Sequence, residues 1–113
     1  MLESYSKMMR LKLSEVFGNN IFTRRTISNF FEELNKKRDK EMELDFSDID
    51  FISRSCVDEY IKQKEKTTKK LVELNLSKDV CSMFNVVKIQ YKKAGVPISF
   101  DICNVKNKGF IPA

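Results

Sequence analysis

The side chains with the most chemical potential sit close together, in the stretch LDFSDIDFISRSCVDEYI (residues 44–61). Asp45, Asp48 and Asp50 straddle the end of an expected strand. Carboxylates so placed are the oxygen ligands that magnesium takes, and the carboxyl edge of an α/β sheet is where such folds put ligands. The same three residues also suit a plainer role, as solvent-facing neighbours of buried residues or as turn formers. Cys56 falls in the first turn of an expected helix beside Arg54, and a helix N-terminus and a cation both lower a thiol pKa. The alternative is a small buried residue where strand meets helix. Ser53 and Ser55 can each cap that helix, Ser55 with Asp58 in capping-box spacing. Either serine is also a candidate phosphoacceptor, because a phosphate there would meet free backbone N–H groups and a favourable dipole.

Much other chemistry is excluded. The chain of 113 residues has no histidine, which removes the commonest general base, the Ser-His and Cys-His nucleophile pairs and the commonest metal ligand. Its three glycines are not clustered, so neither a P-loop nor a dinucleotide fingerprint can be drawn. Cys56, Cys81 and Cys103 are odd in number and widely spaced, which predicts buried thiols rather than a disulfide framework or a zinc site. The expectation is a protein with no catalytic residues, no metal and no cofactor.

The elements that must position these residues follow from periodicity. Residues 9–13 alternate apolar and charged as a half-exposed strand, broken at Gly18-Asn19-Asn20. Thr23 caps a helix whose Ile27, Phe30, Phe31 and Leu34 make one apolar stripe. Met42, Leu44 and Phe46 alternate as a strand, and a turn at Ser47-Asp48 leads to an extended tail through Ile49, Phe51 and Ile52. Val57, Tyr60 and Ile61 give the next helix its inner face, and its polar end, KQKEKTTKK, reads as frayed. Val72, Leu74 and Leu76 alternate as a further strand. Ser77 caps a last helix with Val80, Phe84, Val87 and Tyr91 inward and Lys92 and Lys93 at its end, stopped by Gly95 and Pro97. Ile98, Phe100 and Ile102 alternate as a final strand, and residues 104–113 read as a loose tail.

Strand and helix therefore alternate, which predicts one α/β domain over residues 1–113, with a core spanning about residues 9–103. Its sheet is expected to be single-layer, mostly parallel or mixed and four- to five-stranded, with helices packed against it. No apolar run reaches the ~18 residues of a membrane span, and the first residues lack a signal peptide's uncharged core, so a cytoplasmic location is expected. The net charge of +5 favours acidic partners without forming the concentrated stripe of a dedicated nucleic-acid binder.

Residues 44–61 resemble the signature of STAS domains, the family of bacterial anti-sigma-factor antagonists. There a strand of the form Leu-Asp-apolar-Ser-x-apolar-x-Phe-apolar runs into a phosphorylatable Asp-Ser-Ser-Gly helix start. Leu44, Asp45, Phe46, Ser47, Ile49, Phe51 and Ile52 match in register. A divergent STAS-like group of uncharacterised function is closer still, since Ile21, Phe22 and Arg24 match its approach to the first helix, and the resemblance covers about residues 11–94. In the same register Ser53 takes the aspartate position, Arg54 that of the phosphorylatable serine, Ser55 the next serine and Cys56 the glycine.

The resemblance implies a STAS-like, non-enzymatic interaction and regulatory domain. Its partner would be a protein, a histidine-kinase-like ATPase or a transcription regulator, met by the face formed by Ser53, Arg54, Ser55, Asp58, Glu59 and Lys62. Two other classes compete. Arg24, Arg25 and the lysines of residues 62–70 suggest nucleic-acid binding, although that segment has no aromatic to stack on a base. The neighbourhood of residues 45–54 suggests a small phosphate or nucleotide sensor. Homodimerisation through an exposed edge at residues 98–103 is a further expectation.

Overall fold

The computed structural model describes residues 9–103; the tail read at residues 104–113 lies outside them. The opening alternation forms β1 (Met9–Lys12), after which buried Leu13 starts a short helix, α1 (Leu13–Phe17). Gly18, with φ 81° in the left-handed region that glycine adopts without a Cβ clash, turns the chain into β2 (Asn20–Ile21). The Thr23 side chain accepts from the Thr26 N–H and begins α2 (Arg24–Asn35), which buries Ile27, Phe30, Phe31 and Leu34 as one stripe. β3 (Glu41–Asp45) and β4 (Phe51–Ile52) follow, then α3 (Arg54–Lys66), β5 (Lys70–Leu74) and α4 (Lys78–Lys93).

The α/β class and the parallel pairing are as expected, but the strands do not form one sheet. β1, β3 and β5 make a parallel three-stranded sheet with β3 in the centre, and β2 and β4 make a separate parallel pair. The turn after β3 divides them. The Phe46 N–H still reaches Leu74 O at 2.8 Å, but the Ile49 N–H folds back on Phe46 O at 3.1 Å through Asp48, whose φ is 67°. The chain then rejoins different neighbours, with the Asp50 N–H on Asn19 O at 2.8 Å.

The core is apolar. Met42 and Leu44 on the inner face of β3 are fully buried, while on the outer face Glu43 meets its register neighbour Arg10 at 3.0 Å. Helix α3 packs between α2 and α4. Tyr60 of α3 stands at the centre of the aromatic packing, with ring centroids 5.4 Å from Phe31, 5.6 Å from Phe84 and 6.1 Å from Phe46, in edge-to-face arrangements that suit the ring quadrupoles.

Four expectations are corrected. Helix α3 does not fray after Ile61 but runs to Lys66, where the Thr67 N–H closes on Gln63 O at 2.9 Å. Side chains hold that end: Gln63 donates to Glu59, and Lys64 and Glu65 grip neighbouring segments. The strand read from Val72, Leu74 and Leu76 begins earlier, and its most buried residue is Leu71, of the opposite parity.

Residues 98–103 are not a strand among the described residues, so the edge on which a homodimer was expected is not formed there. Their alternation survives as burial, with Ile102 buried and Ile98 and Phe100 partly buried. Finally, Cys81 and Cys103 are joined in a disulfide with Cα atoms 5.4 Å apart, and only Cys56 is free. The turn through Gly95, φ 76°, and Pro97 sends the chain back along α4, so Cys103 reaches the start of that helix from 22 residues away. Among the described residues no helix is long and apolar enough to cross a membrane.

Candidate functional site

The β2–β4 pair sets the geometry of the Ser-Arg-Ser-Cys junction. Ile21 and Ile52 are register partners and are buried, so strand alternation turns Phe22 and Phe51 outward. Phe22 is 63% exposed and Phe51 41%, and their rings lie 5.4 Å apart, each covering part of the other. The Ser53 N–H extends the ladder to Ile21 O at 2.9 Å.

Ser53, not Ser55, is the helix cap. Its Oγ accepts from the Cys56 N–H at 3.2 Å and donates to Phe22 O at 3.0 Å, with the Ser55 hydroxyl 3.2 Å away. Arg54 is then the first residue of α3, exposed, and makes no ion pair among the described residues. No acidic residue occupies the first turn of that helix. A cation there adds to the positive end of the helix dipole instead of offsetting it, so the junction carries positive potential that an anionic group would relieve.

Asp58, Glu59 and Lys62 are one turn further on and face a different task. Asp58 takes Arg24 of α2 at 2.7 Å, Lys62 at 3.2 Å and the Tyr91 hydroxyl of α4, while Glu59 lies 3.4 Å from Arg24 and accepts from Gln63 at 2.7 Å. Burial pushes the Asp58 carboxyl pKa up, but the hydrogen bonds from Tyr91, Arg24 and Lys62 outweigh it and hold it below the usual carboxylate range. The residues read as one contact face are thus divided. Ser53, Arg54 and Ser55 stay at the junction, and the acidic pair is engaged in holding α2, α3 and α4 together.

The other candidate groups do not assemble. Asp45 accepts from Asn75 at 3.0 Å and from the Ser47 N–H at 2.9 Å, while Asp48 pairs with Lys12 at 3.0 Å. Among the described residues no group of three or more His, Cys, Asp or Glu side chains could hold a metal ion. Cys56 is fully buried between strand and helix. In the lysine-rich segment, Lys64 is tied to Glu73 at 2.7 Å and Lys69 to the carbonyls of Lys37 and Asp39, each at 2.6 Å. Those charges serve the fold.

The residues that sequence reasoning missed are Phe22 and Phe51 as a surface pair and Arg24 as an internal tie. The sequence marks both only as positions of the family-like pattern, with Phe51 also as apolar content of the extended tail. Parity relative to Ile21 and Ile52 was the available signal. A cleft of about 620 Å³ lies between β5 and residues 99–103, with Lys64 and Glu73 in its wall. No family model, curated protein or solved structure matches the chain.

Proposed function

We propose that the chain is a non-enzymatic interaction and regulatory domain of STAS-like type that docks an acidic protein partner where β4 runs into α3. The observation that carries this reading is the exposed Phe22–Phe51 pair at the same β4–α3 junction where Arg54, exposed and without an ion-pair partner among the described residues, begins the helix. Aromatic rings and arginine dominate the energetic centres of protein interfaces, the rings because they bury large area while losing few rotamers and the arginine because its planar guanidinium pairs strongly with carboxylates. The two rings would fill an apolar hollow, with a partner carboxylate meeting Arg54 and the helix N-terminus. The resemblance of residues 44–61 supplies the partner class, a histidine-kinase-like ATPase or a transcription regulator, and with it a cytoplasmic location.

Ser53 and Ser55 are the proposed points of control. A phosphate on Ser53 would remove the hydrogen bond to Phe22 O and place about −1.5 to −2 charges next to Arg54, cancelling the attraction for an acidic partner. Docking is then favoured by the unmodified chain.

A second reading draws on the same patch. The exposed rings could stack on bases of single-stranded nucleic acid, with the exposed Arg25 and Arg54 and the net charge of +5 attracting its backbone. One experiment separates the two. A photo-reactive phenylalanine analogue is placed at position 22, with a control at position 86 on α4, and cells or extract are irradiated. A cross-linked protein at position 22 only supports docking; cross-linked nucleic acid only, or equal yields from both positions, rejects it.

A further inference from the structure

Residues 98–103 lie across the cleft whose other wall is β5. That strand pairs with β3 along one edge, and its other edge, from Lys70 to Glu73, lines the cleft opposite Ser99, Phe100 and Ile102. At its base Lys64 and Glu73 form an ion pair at 2.7 Å, with side chains only 11% and 6% exposed, and the Tyr60 hydroxyl donates to Glu73. Phe100 closes over this pair, its ring centroid 4.6 Å from Lys64 Nζ.

The covering segment is held without a β-ladder among the described residues. Glu65 accepts from the Ser99 N–H at 2.6 Å and from its hydroxyl at 2.8 Å, and Lys88 donates to Ile102 O. Lys88 Nζ also lies 3.5 Å from Cys103 O, Ile102 is buried in the core, and Cys81–Cys103 adds a covalent tie. Apart from Ile102 its side chains are only partly buried or exposed, and a short segment of that kind opens more readily than the core, so the covalent tie is the strongest single constraint on its position.

We propose that the Cys81–Cys103 bond is a reversible redox clasp that, when closed, holds residues 98–103 over the free edge of β5 and the Lys64–Glu73 pair. Cys81 is well placed to open. It lies at the start of α4, its N–H on Ser77 O at 2.9 Å, where the helix N-terminus stabilises a thiolate, with Lys78 adding to and Asp79 opposing that field. A thiol with a stabilised thiolate is the better leaving group in exchange. Neither cysteine is fully buried.

The reductant is a dithiol. Its thiolate attacks the Cys103 sulfur and Cys81 leaves as thiolate. The second thiol of the reductant then attacks the mixed disulfide, releasing Cys103 and departing as a disulfide with the loss of two electrons. The two protein sulfurs gain those electrons, and protons reach them from the reductant and water. Closure runs in reverse with a disulfide oxidant such as oxidised glutathione. Opening presents an unpaired strand edge together with a lysine and a glutamate that were covered, a surface that the oxidised chain withholds.

The test uses the full chain, oxidised and then reduced with dithiothreitol, followed by amide hydrogen exchange and by acylation of lysines with an N-hydroxysuccinimide ester. On reduction, amides of residues 98–103 are expected to exchange at least tenfold faster and Lys64 to react at least fivefold faster. Amides of α2 and β3 stay protected, and oxidised glutathione restores both readouts. A Cys81→Ser, Cys103→Ser double variant should behave as the reduced protein does. Unchanged protection and Lys64 reactivity on reduction would overturn the clasp. So would loss of protection throughout β3, or a double variant that does not fold, since either makes the bond a staple of the whole fold.

Discussion

Tyr91 near the end of α4 donates its hydroxyl hydrogen to Asp58 in the second turn of α3, and the same carboxylate receives Arg24 from the first turn of α2 at 2.7 Å. Three helices meet on one partly buried side chain. Removing it should therefore loosen helix packing more than a surface charge would. Asp58→Ala is expected to lower unfolding free energy by about 1.5–3 kcal/mol, the range for hydrogen bonds to a charged group, towards the lower end because the site is partly hydrated. Tyr91→Phe, which leaves the ion pairs intact, should cost about 1 kcal/mol. Urea unfolding of the two variants checks both.

The same carboxylate sets the acid limb of stability. Tyr91, Arg24 and Lys62 hold the Asp58 pKa below its unfolded value against the opposing effect of burial, and hydrogen bonds from Asn75 and Ser47 lower that of Asp45. As pH falls, the unfolded chain takes up these protons first, so the contribution is complete above the unfolded pKa of about 3.9 and is lost through the folded-state values. Melting temperature should hold from pH 7 to about 5 and decline below about 4. Asp58→Asn should make that decline shallower. At the alkaline end, burial and then Asp58 raise the Tyr91 pKa, so its contribution is complete below about pH 10 and is lost only above it.

Lys64 and Glu73 form the most buried ion pair among the described residues, with the Tyr60 hydroxyl as a third member. Burial and then Glu73 push the Tyr60 pKa well up, so the phenol stays neutral and donates. Glu73→Leu alone strands a buried ammonium and should cost about 3–5 kcal/mol. Lys64→Met together with Glu73→Leu should recover most of that loss, because the pair's desolvation cost disappears with both charges. A double-mutant cycle by urea unfolding measures the difference.

What could be read from the sequence was what repeats locally. The stripe of Ile27, Phe30, Phe31 and Leu34, the alternation of Met42, Leu44 and Phe46, and the caps at Thr23 and Ser77 all stand as the residue pattern implied. Helix α1 is too short to show a 3.6-residue period, and β2 and β4, two residues each, are too short to show alternation. Ile98, Phe100 and Ile102 alternate in burial but pair with no strand among the described residues, because alternation reports which way side chains face and not what the backbone bonds to. The Cys81–Cys103 bond depends on the path taken after Gly95, which spacing does not encode. Of the candidate site, Ser53 and Arg54 were found from type and position. The Phe22–Phe51 pair needed the register of β2 against β4, and the internal ties of Asp58 and Glu59 needed the packing of three helices.

The cap at Ser53 separates two otherwise similar serines. Ser53→Ala removes the bond to the Cys56 N–H and should cost about 1 kcal/mol. Ser55→Ala, within the helix, should change stability by less than about 0.5 kcal/mol in either direction, since alanine's better helix propensity offsets the lost contact with the Ser53 hydroxyl. Thermal melts of the two variants side by side test the assignment.

Docking of an acidic protein on Phe22, Phe51 and Arg54, as proposed above, requires both the rings and the arginine. The measurement that tests it most directly is partner capture by wild type, by Arg54→Glu and by Phe22→Ser with Phe51→Ser, each first shown to melt within a few degrees of wild type. A protein retained by wild type should be reduced at least tenfold with either variant, and added salt should weaken capture. Equal capture by all three, or retention of nucleic acid alone, would contradict it.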